Sequence, residues 1–135
     1  MNNLPVLLLV DDEPLIRAAL ADVLTEAGYF PLEAEDGAEA MGFIEVCATL
    51  LGVITDIRLG SGAYGWEVAR HARHRFPNIP VVYMTGDSAA DWSAEGVPNS
   101  ILLQKPFANA QLVTAISNLL NVTDVYPSQV GSTKD

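Results

Sequence analysis

The sequence is poor in positive charge. Seven lysines and arginines stand against seventeen acids, for a formal net charge of −10. Only two of the seven are lysines, Lys105 and Lys134, and the second is next to last in the chain. Such a chain lacks the basic footprint that general nucleic-acid binding needs, so no DNA is expected as a partner. Cysteine is almost missing: Cys47 stands alone, no intrachain disulfide can form, and a reducing cytoplasm fits. No run of about 18 apolar residues exists, which excludes a membrane-spanning helix. The start Met1-Asn2-Asn3 has no basic n-region, so no secretory leader is read. The weak hydrophobicity of an acidic disordered tail is lacking too, because half of the 135 residues are hydrophobic. The length suits one domain with a full core.

The charge is unevenly placed. Residues 1–56 hold eleven acids and a single base, Arg17; residues 57–135 hold six of each. The apolar pattern alternates between strand and helix. Leu4–Val10 is a nearly continuous apolar run, as a strand buried on both faces requires. Pro14 suits a first helical turn, and Ile16, Ala19, Leu20, Val23, Leu24 and Ala27 follow at helical spacing up to Gly28. A second strand is read at 29–34, then a helix with Ala40, Phe43, Ile44 and Cys47 on one face. Residues 51–55 form a third strand ending at Asp56, 65–76 a helix, 79–85 a fourth strand and 100–103 a fifth. Residues 88–95 make a short helix at best. The last helix is read over 108–120, and the Ser-, Thr- and Pro-containing residues 122–135 as a flexible tail behind a domain of residues 1–121. Five apolar strands separated by helices predict an α/β fold with a parallel sheet covered on both faces.

In such sheets, sites gather at the carboxyl ends of the strands. Asp11-Asp12-Glu13 ends the first strand, Asp56 the third, Thr85-Gly86-Asp87 the fourth and Gln104-Lys105-Pro106 the fifth. Carboxylates brought together there repel and would hold protons on burial. A hard divalent cation relieves that, and Mg²⁺ takes carboxylates, waters and a phosphate. Lys105 can pair with a carboxylate or with a phosphate oxygen. A carboxylate can itself be the nucleophile in phosphoryl transfer, with the metal, the ammonium and the Thr85 hydroxyl meeting the developing charge.

These residues resemble the receiver domain of a two-component response regulator, of the chemotaxis-regulator type. The likeness rests on Asp11-Asp12 after Leu7-Leu8-Leu9-Val10, Asp56 after Val53-Ile54-Thr55, Thr85 after Val82-Tyr83-Met84, and Lys105-Pro106. It covers roughly residues 4–120. It implies a flavodoxin-like (βα)5 three-layer sandwich with strand order 2-1-3-4-5. It implies that Asp56 accepts a phosphoryl group from a sensor histidine kinase or a histidine phosphotransfer protein. Asp12 and Asp56 would hold Mg²⁺, Asp11 through a water, and the backbone carbonyl of Arg58 would be a further ligand. Lys105 and Thr85 would hold the phosphoryl oxygens. With about fifteen residues after the last helix, the expectation is a stand-alone receiver whose output is an unidentified protein partner or onward transfer of the phosphoryl group. Apart from its own phosphorylation and dephosphorylation it would be no enzyme.

Three departures from the family pattern stand out. Gly60 occupies the place of a proline, and the glycine expected eight residues after Asp56 is Gly65, one residue late, which predicts a looser loop. Leu102 stands where many receivers carry an inward-turning aromatic. The stretch from Thr85 to Lys105 is short, which predicts a fourth helix of a turn or two. Arg58 and Asp87 flank the site where the family tunes hydrolysis. Other readings compete. A binding module that keeps the fold without the chemistry would suit the departures. An aspartyl-phosphate phosphatase would need an acid two residues after Asp56, where Arg58 stands. The run Arg70-His71-Ala72-Arg73-His74-Arg75 reads as a solvated helix face, Cys47 as core, and Trp66 and Trp92 as either core or partner anchors.

Overall fold

The computed structural model describes residues 4–60, 64–86 and 91–132, the stretch 122–132 by its backbone alone. Five strands and five helices alternate: β1 (Val6–Val10), α1 (Pro14–Glu26), β2 (Phe30–Ala34), α2 (Gly37–Val46), β3 (Leu50–Asp56), α3 (Gly65–Arg75), β4 (Val81–Thr85), α4 (Trp92–Glu95), β5 (Ser100–Gln104) and α5 (Asn109–Ser132). The strands form one parallel sheet in the order β2-β1-β3-β4-β5. The predicted flavodoxin-like sandwich is therefore the observed one.

The continuous apolar strands have a direct explanation in the period-two alternation of a strand. Leu8, Val10, Val53, Val81 and Tyr83 point into the layer of α2 and α3. Leu7, Leu9, Ile54, Val82 and Met84 point into the layer of α1 and α5. The inner strands β1 and β4 are thus apolar almost throughout because each face meets a helix layer, whereas the edge strands β2 and β5 carry Glu33 and Gln104.

Two helices depart from the expectation. On α1 the buried positions are Leu20, Ala21 and Leu24, while Ile16 and Ala19 are exposed, so the inward stripe begins only in the second turn. α5 runs on to Ser132 instead of stopping at Leu120. Leu112, Ala115 and Ile116 anchor its first half in the core, and propagating a nucleated helix is far easier than starting one. α4 is short, as expected, at four residues. The looser loop expected after Gly60 centres on 61–63, and Asp87 and the start of the 88–95 segment also lie outside the described residues.

A chain of hydrogen bonds docks the short α4. Trp92 Nε1 donates to Ser100 Oγ at 3.0 Å, Ser100 Oγ donates to the Val97 carbonyl at 2.7 Å, and the Val97 amide donates to Tyr83 Oη at 3.1 Å. Tyr83 is 0% exposed and meets Trp66 edge to face at 4.8 Å. Both tryptophans therefore pack against the body. The basic run on α3 faces outward as expected, with Arg70, His74 and Arg75 exposed, and most of it is also tied to neighbouring elements. Arg70 pairs with Glu95 at 2.6 Å, His71 Nε2 meets Glu45 Oε2 at 2.6 Å, and Arg73 donates to the Ile79 carbonyl at 2.7 Å. Arg75 caps the carbonyls of Ile44 and Glu45 at the end of α2. Cys47 is the C-cap of α2, half-buried against the core.

Tyr83→Phe keeps the ring and removes only the acceptor for the buried Val97 amide. It is expected to cost about 1–3 kcal/mol, the penalty for an unpaired buried donor, in a urea unfolding curve. An unchanged midpoint would show that the phenol does not anchor the α4 segment.

Candidate functional site

The strand order reverses between β1 and β3: the chain steps outward to β2, then returns to the other side of β1. Crevices form at such switch points beyond the carboxyl ends of the strands. Here a cleft of about 260 Å³ opens, lined by Asp12, Glu13, Asp56, Arg58, Gly60, Met84, Thr85, Gly86 and Lys105.

Main-chain bonds at the strand ends place each functional group. The Asp11 amide donates to the Ala34 carbonyl at 3.1 Å, closing the β1–β2 ladder. The Asp11 side chain, fully buried beneath the cleft, accepts the Glu13 amide on Oδ1 at 2.9 Å. At the end of β3 the Ile57 amide donates to the Met84 carbonyl at 3.0 Å, and Thr55 Oγ1 donates to the Asp56 carbonyl at 2.8 Å. The Lys105 amide donates to the Thr85 carbonyl at 2.7 Å and so ties the last two strand ends together. The Lys105–Pro106 peptide is cis.

Two glycines shape the rim. Gly65 opens α3 with its amide 2.7 Å from the Ile57 carbonyl, and a Cβ there would stand 2.1 Å from the Asp56 carbonyl oxygen. No side chain fits, so the late glycine of the motif is required for α3 to approach β3. Gly60 has φ +71°, a left-handed conformation that proline cannot adopt, and a Cβ there would lie 3.2 Å from Asp12 Oδ2.

One carboxylate oxygen from each of Asp11, Asp12 and Asp56 can be chosen so that all three lie within 4.8 Å of one another. Lys105 Nζ bonds Asp56 Oδ1 at 2.8 Å and stands 3.9 Å from Asp11 Oδ2, too far for a hydrogen bond. Asp11 Oδ2 is buried without a hydrogen-bond partner among the described residues. Burial pushes the Asp56 carboxyl up from 3.8 to about 7, with the Asp11 charge adding and Lys105 opposing. Burial alone would lower the Lys105 ammonium. The bond to Asp56 and the charges of Asp56, Asp11 and Glu13 outweigh it and hold the ammonium above its ordinary value. An orphaned carboxylate oxygen within a cluster of hard oxygen donors suits a small divalent cation such as Mg²⁺.

All six residues singled out from the sequence come to this one place. Asp56, Thr85, Lys105, Asp12 and Arg58 line the cleft, and Asp11 lies under it. Sequence reasoning placed Glu13 at the strand end with the acid pair but gave it no role; it lines the cleft and acts on Lys105. It missed Arg17, whose guanidinium donates to the Asp11 main-chain carbonyl at 2.8 Å. Its isolation among eleven acids was the available signal.

The comparisons agree with this geometry. The family profile described as "Response regulator receiver domain" matches residues 7–117. The crystal structure of a response regulator receiver protein from Sinorhizobium medicae is 44% identical with a TM-score of 0.86, over 88% of this chain and 96% of that one. A putative NtrX-like response regulator of Rickettsia typhi is 31% identical over 91% of this chain. The transcriptional regulatory protein YrkP of Bacillus subtilis is 30% identical over 89% of it. The chain spans 26% of the first of these curated relatives and 51% of the second.

The Asp56 shift carries a stability prediction in metal-free buffer. Between pH about 4 and 7 the folded protein holds a proton on Asp56 that the unfolded chain releases. This group's contribution therefore falls as pH rises through that window and is flat above it. Asp56→Asn lacks the effect, so its stability relative to the parent chain should climb from pH 4 to 7 in urea titrations with chelator. A difference that is constant with pH would refute the assignment.

Proposed function

The chain belongs to the response regulator receiver family, and from that premise we propose that it takes a phosphoryl group onto Asp56 in a Mg²⁺-dependent reaction. The observation that carries the proposal is the 2.8 Å bond from Lys105 to Asp56 inside a cluster that also holds Asp11 and Asp12. Asp12, Asp56, Asp11 through a water, and the main-chain carbonyl of Arg58 would hold the cation. Bound there, it would neutralise charge on the transferring oxygens and on the carboxylates.

The remaining work falls to the chain's own residues. An Asp56 carboxylate oxygen attacks the phosphorus of a phosphohistidine, the P–N bond breaks, and the imidazole leaves. Lys105 moves from Asp56 Oδ1 toward a phosphoryl oxygen, and the Thr85 hydroxyl, on the neighbouring strand end, bonds another. Charge stabilisation by fixed donors is the main catalytic contribution available here.

The donor is a sensor histidine kinase or a histidine phosphotransfer protein. Leu15, 86% exposed, and Ile16 stand on the first turn of α1, next to the cleft residues Asp12 and Glu13, where a docking protein would cover them. The receiver unit is residues 1–121, and it works in the cytoplasm. No helix among the described residues is long and apolar enough to cross a membrane. Its role is signalling, through a changed surface that binds another protein or through onward transfer. Arg58, which lines the cleft two residues after Asp56 where an aspartyl-phosphate phosphatase would need an acid, argues against the phosphatase reading.

Acetyl phosphate with Mg²⁺ should add one phosphoryl mass to the intact protein, and Asp56→Asn should abolish the gain. No gain, or a gain that survives the substitution, would leave the binding-module reading in its place. Mg²⁺ at a hundredfold excess over its dissociation constant should stabilise the fold by about 2.7 kcal/mol. Asp12→Ala should remove most of that shift in a melting scan.

A further inference from the structure

Arg17 is the only base in the first 56 residues, and its side chain turns back from α1 toward the acid pair. Nη1 donates to the main-chain carbonyl of Asp11 at 2.8 Å, and Nε meets Glu33 Oε1 on β2 at 3.3 Å. The Arg17 side chain is 17% exposed. The carbonyl it holds belongs to the peptide that joins Asp11 to Asp12. The Asp11 amide makes the closing rung of the β1–β2 ladder, to Ala34, and Arg17 supplies the donor for the next carbonyl. Both acids hang from that peptide, one on each side. A tilt of its plane would swing the two carboxylates together. The Asp12 carboxylate is exposed, so the main chain is what fixes where it points.

We propose that Arg17 is a positioning residue: it locks the Asp11–Asp12 peptide and thereby sets the two carboxylates for the divalent cation. It touches neither the cation nor the phosphoryl group. This inference rests on the Mg²⁺ reading of the cleft and goes one step beyond it. Geometry and charge oppose each other here, which makes the idea testable. As a bare positive charge near three carboxylates, Arg17 repels a second cation, and removing it would tighten Mg²⁺ binding. As a clamp it improves the site, and removing it weakens binding. Partners that orient metal ligands typically contribute 10–100-fold in affinity.

The test is isothermal titration of the full chain with Mg²⁺, on the parent, Arg17→Gln and Arg17→Lys. Urea curves in chelator, recorded beside each, establish that the variant is folded. Arg17→Gln should weaken Mg²⁺ about tenfold. Arg17→Lys keeps the charge but loses the planar fork that spans the carbonyl and Glu33, so it too should bind more weakly than the parent. If Arg17→Gln fails to fold, Arg17→Lys decides. Affinity unchanged or tightened in the folded variants overturns the positioning role. A parent chain that binds no Mg²⁺ overturns the reading of the cleft instead, so the two failures are distinct.

Discussion

Three carboxylates share one small volume at the carboxyl edge of the sheet, and one lysine ammonium reaches them. The rest of the structure follows from keeping that arrangement in place. Burial disfavours ionisation of Asp56, and the like charge of Asp11 adds to the effect, which is why its carboxyl is pushed up to about 7. Lys105 offsets part of the cost, but it hydrogen-bonds Asp56 and stands 3.9 Å from Asp11 Oδ2, which is left without a hydrogen bond among the described residues. The site is therefore under a charge strain that a divalent cation would relieve. The topology makes the tension possible. β1 and β3 are neighbours, so their acids meet. β5 lies two strands from β3, about 10 Å away, a span within reach of an extended lysine but of no shorter cation.

Holding repelling groups together requires a scaffold that does not yield. Asp56 is fixed through its main chain by Thr55 Oγ1, by the β3–β4 ladder that ends in Ile57, and by the close approach of α3 at Gly65. That approach is tight enough to exclude a Cβ, so the start of α3 and the end of β3 form one unit. The α3 cations then tie this unit outward, to α2 through Arg75 and His71, and to α4 and the turn before β4 through Arg70 and Arg73. The late glycine and the basic run, which look unrelated in the sequence, serve the same rigidity.

The strand-end residues were legible because a parallel sheet buried on both faces writes itself as continuous apolar runs. Where such a run stops, the next residue is at the edge. Asp11 and Thr85 follow one directly, and Asp56 and Lys105 come one polar residue later, after Thr55 and Gln104, so their convergence needed no contact information. What stayed hidden depends on neighbours in space. Whether Arg75 faces water or caps α2 is decided by where α2 ends against α3. Ile16 has the right helical spacing for the core, yet the first turn of α1 rises past the end of the sheet and leaves it exposed. The length of α5 was hidden for another reason: Pro127 and the small polar residues after Leu120 read as a helix end, and the helix runs through them.

The missing aromatic at Leu102 takes a different meaning once the register is known. Leu102 pairs with Tyr83 across β4 and β5, and both side chains belong to the α2–α3 side of the sheet. The aromatic volume at this level is thus supplied from the adjacent strand, two residues before Thr85. Its surroundings differ from those of a ring that turns between inside and outside. Tyr83 is fully buried, its face is met by Trp66, and its hydroxyl accepts the Val97 amide just past α4. Rotating it would break the hydrogen bond and open a cavity in a close-packed layer. A ring held at both ends is a strut, not a rotor. Tyr83 thus links β4, two residues before Thr85, to the segment just past α4 through the Val97 amide. α4 is a single turn of four residues beside that bond, so the strand, the buried ring and the turn pack as one unit.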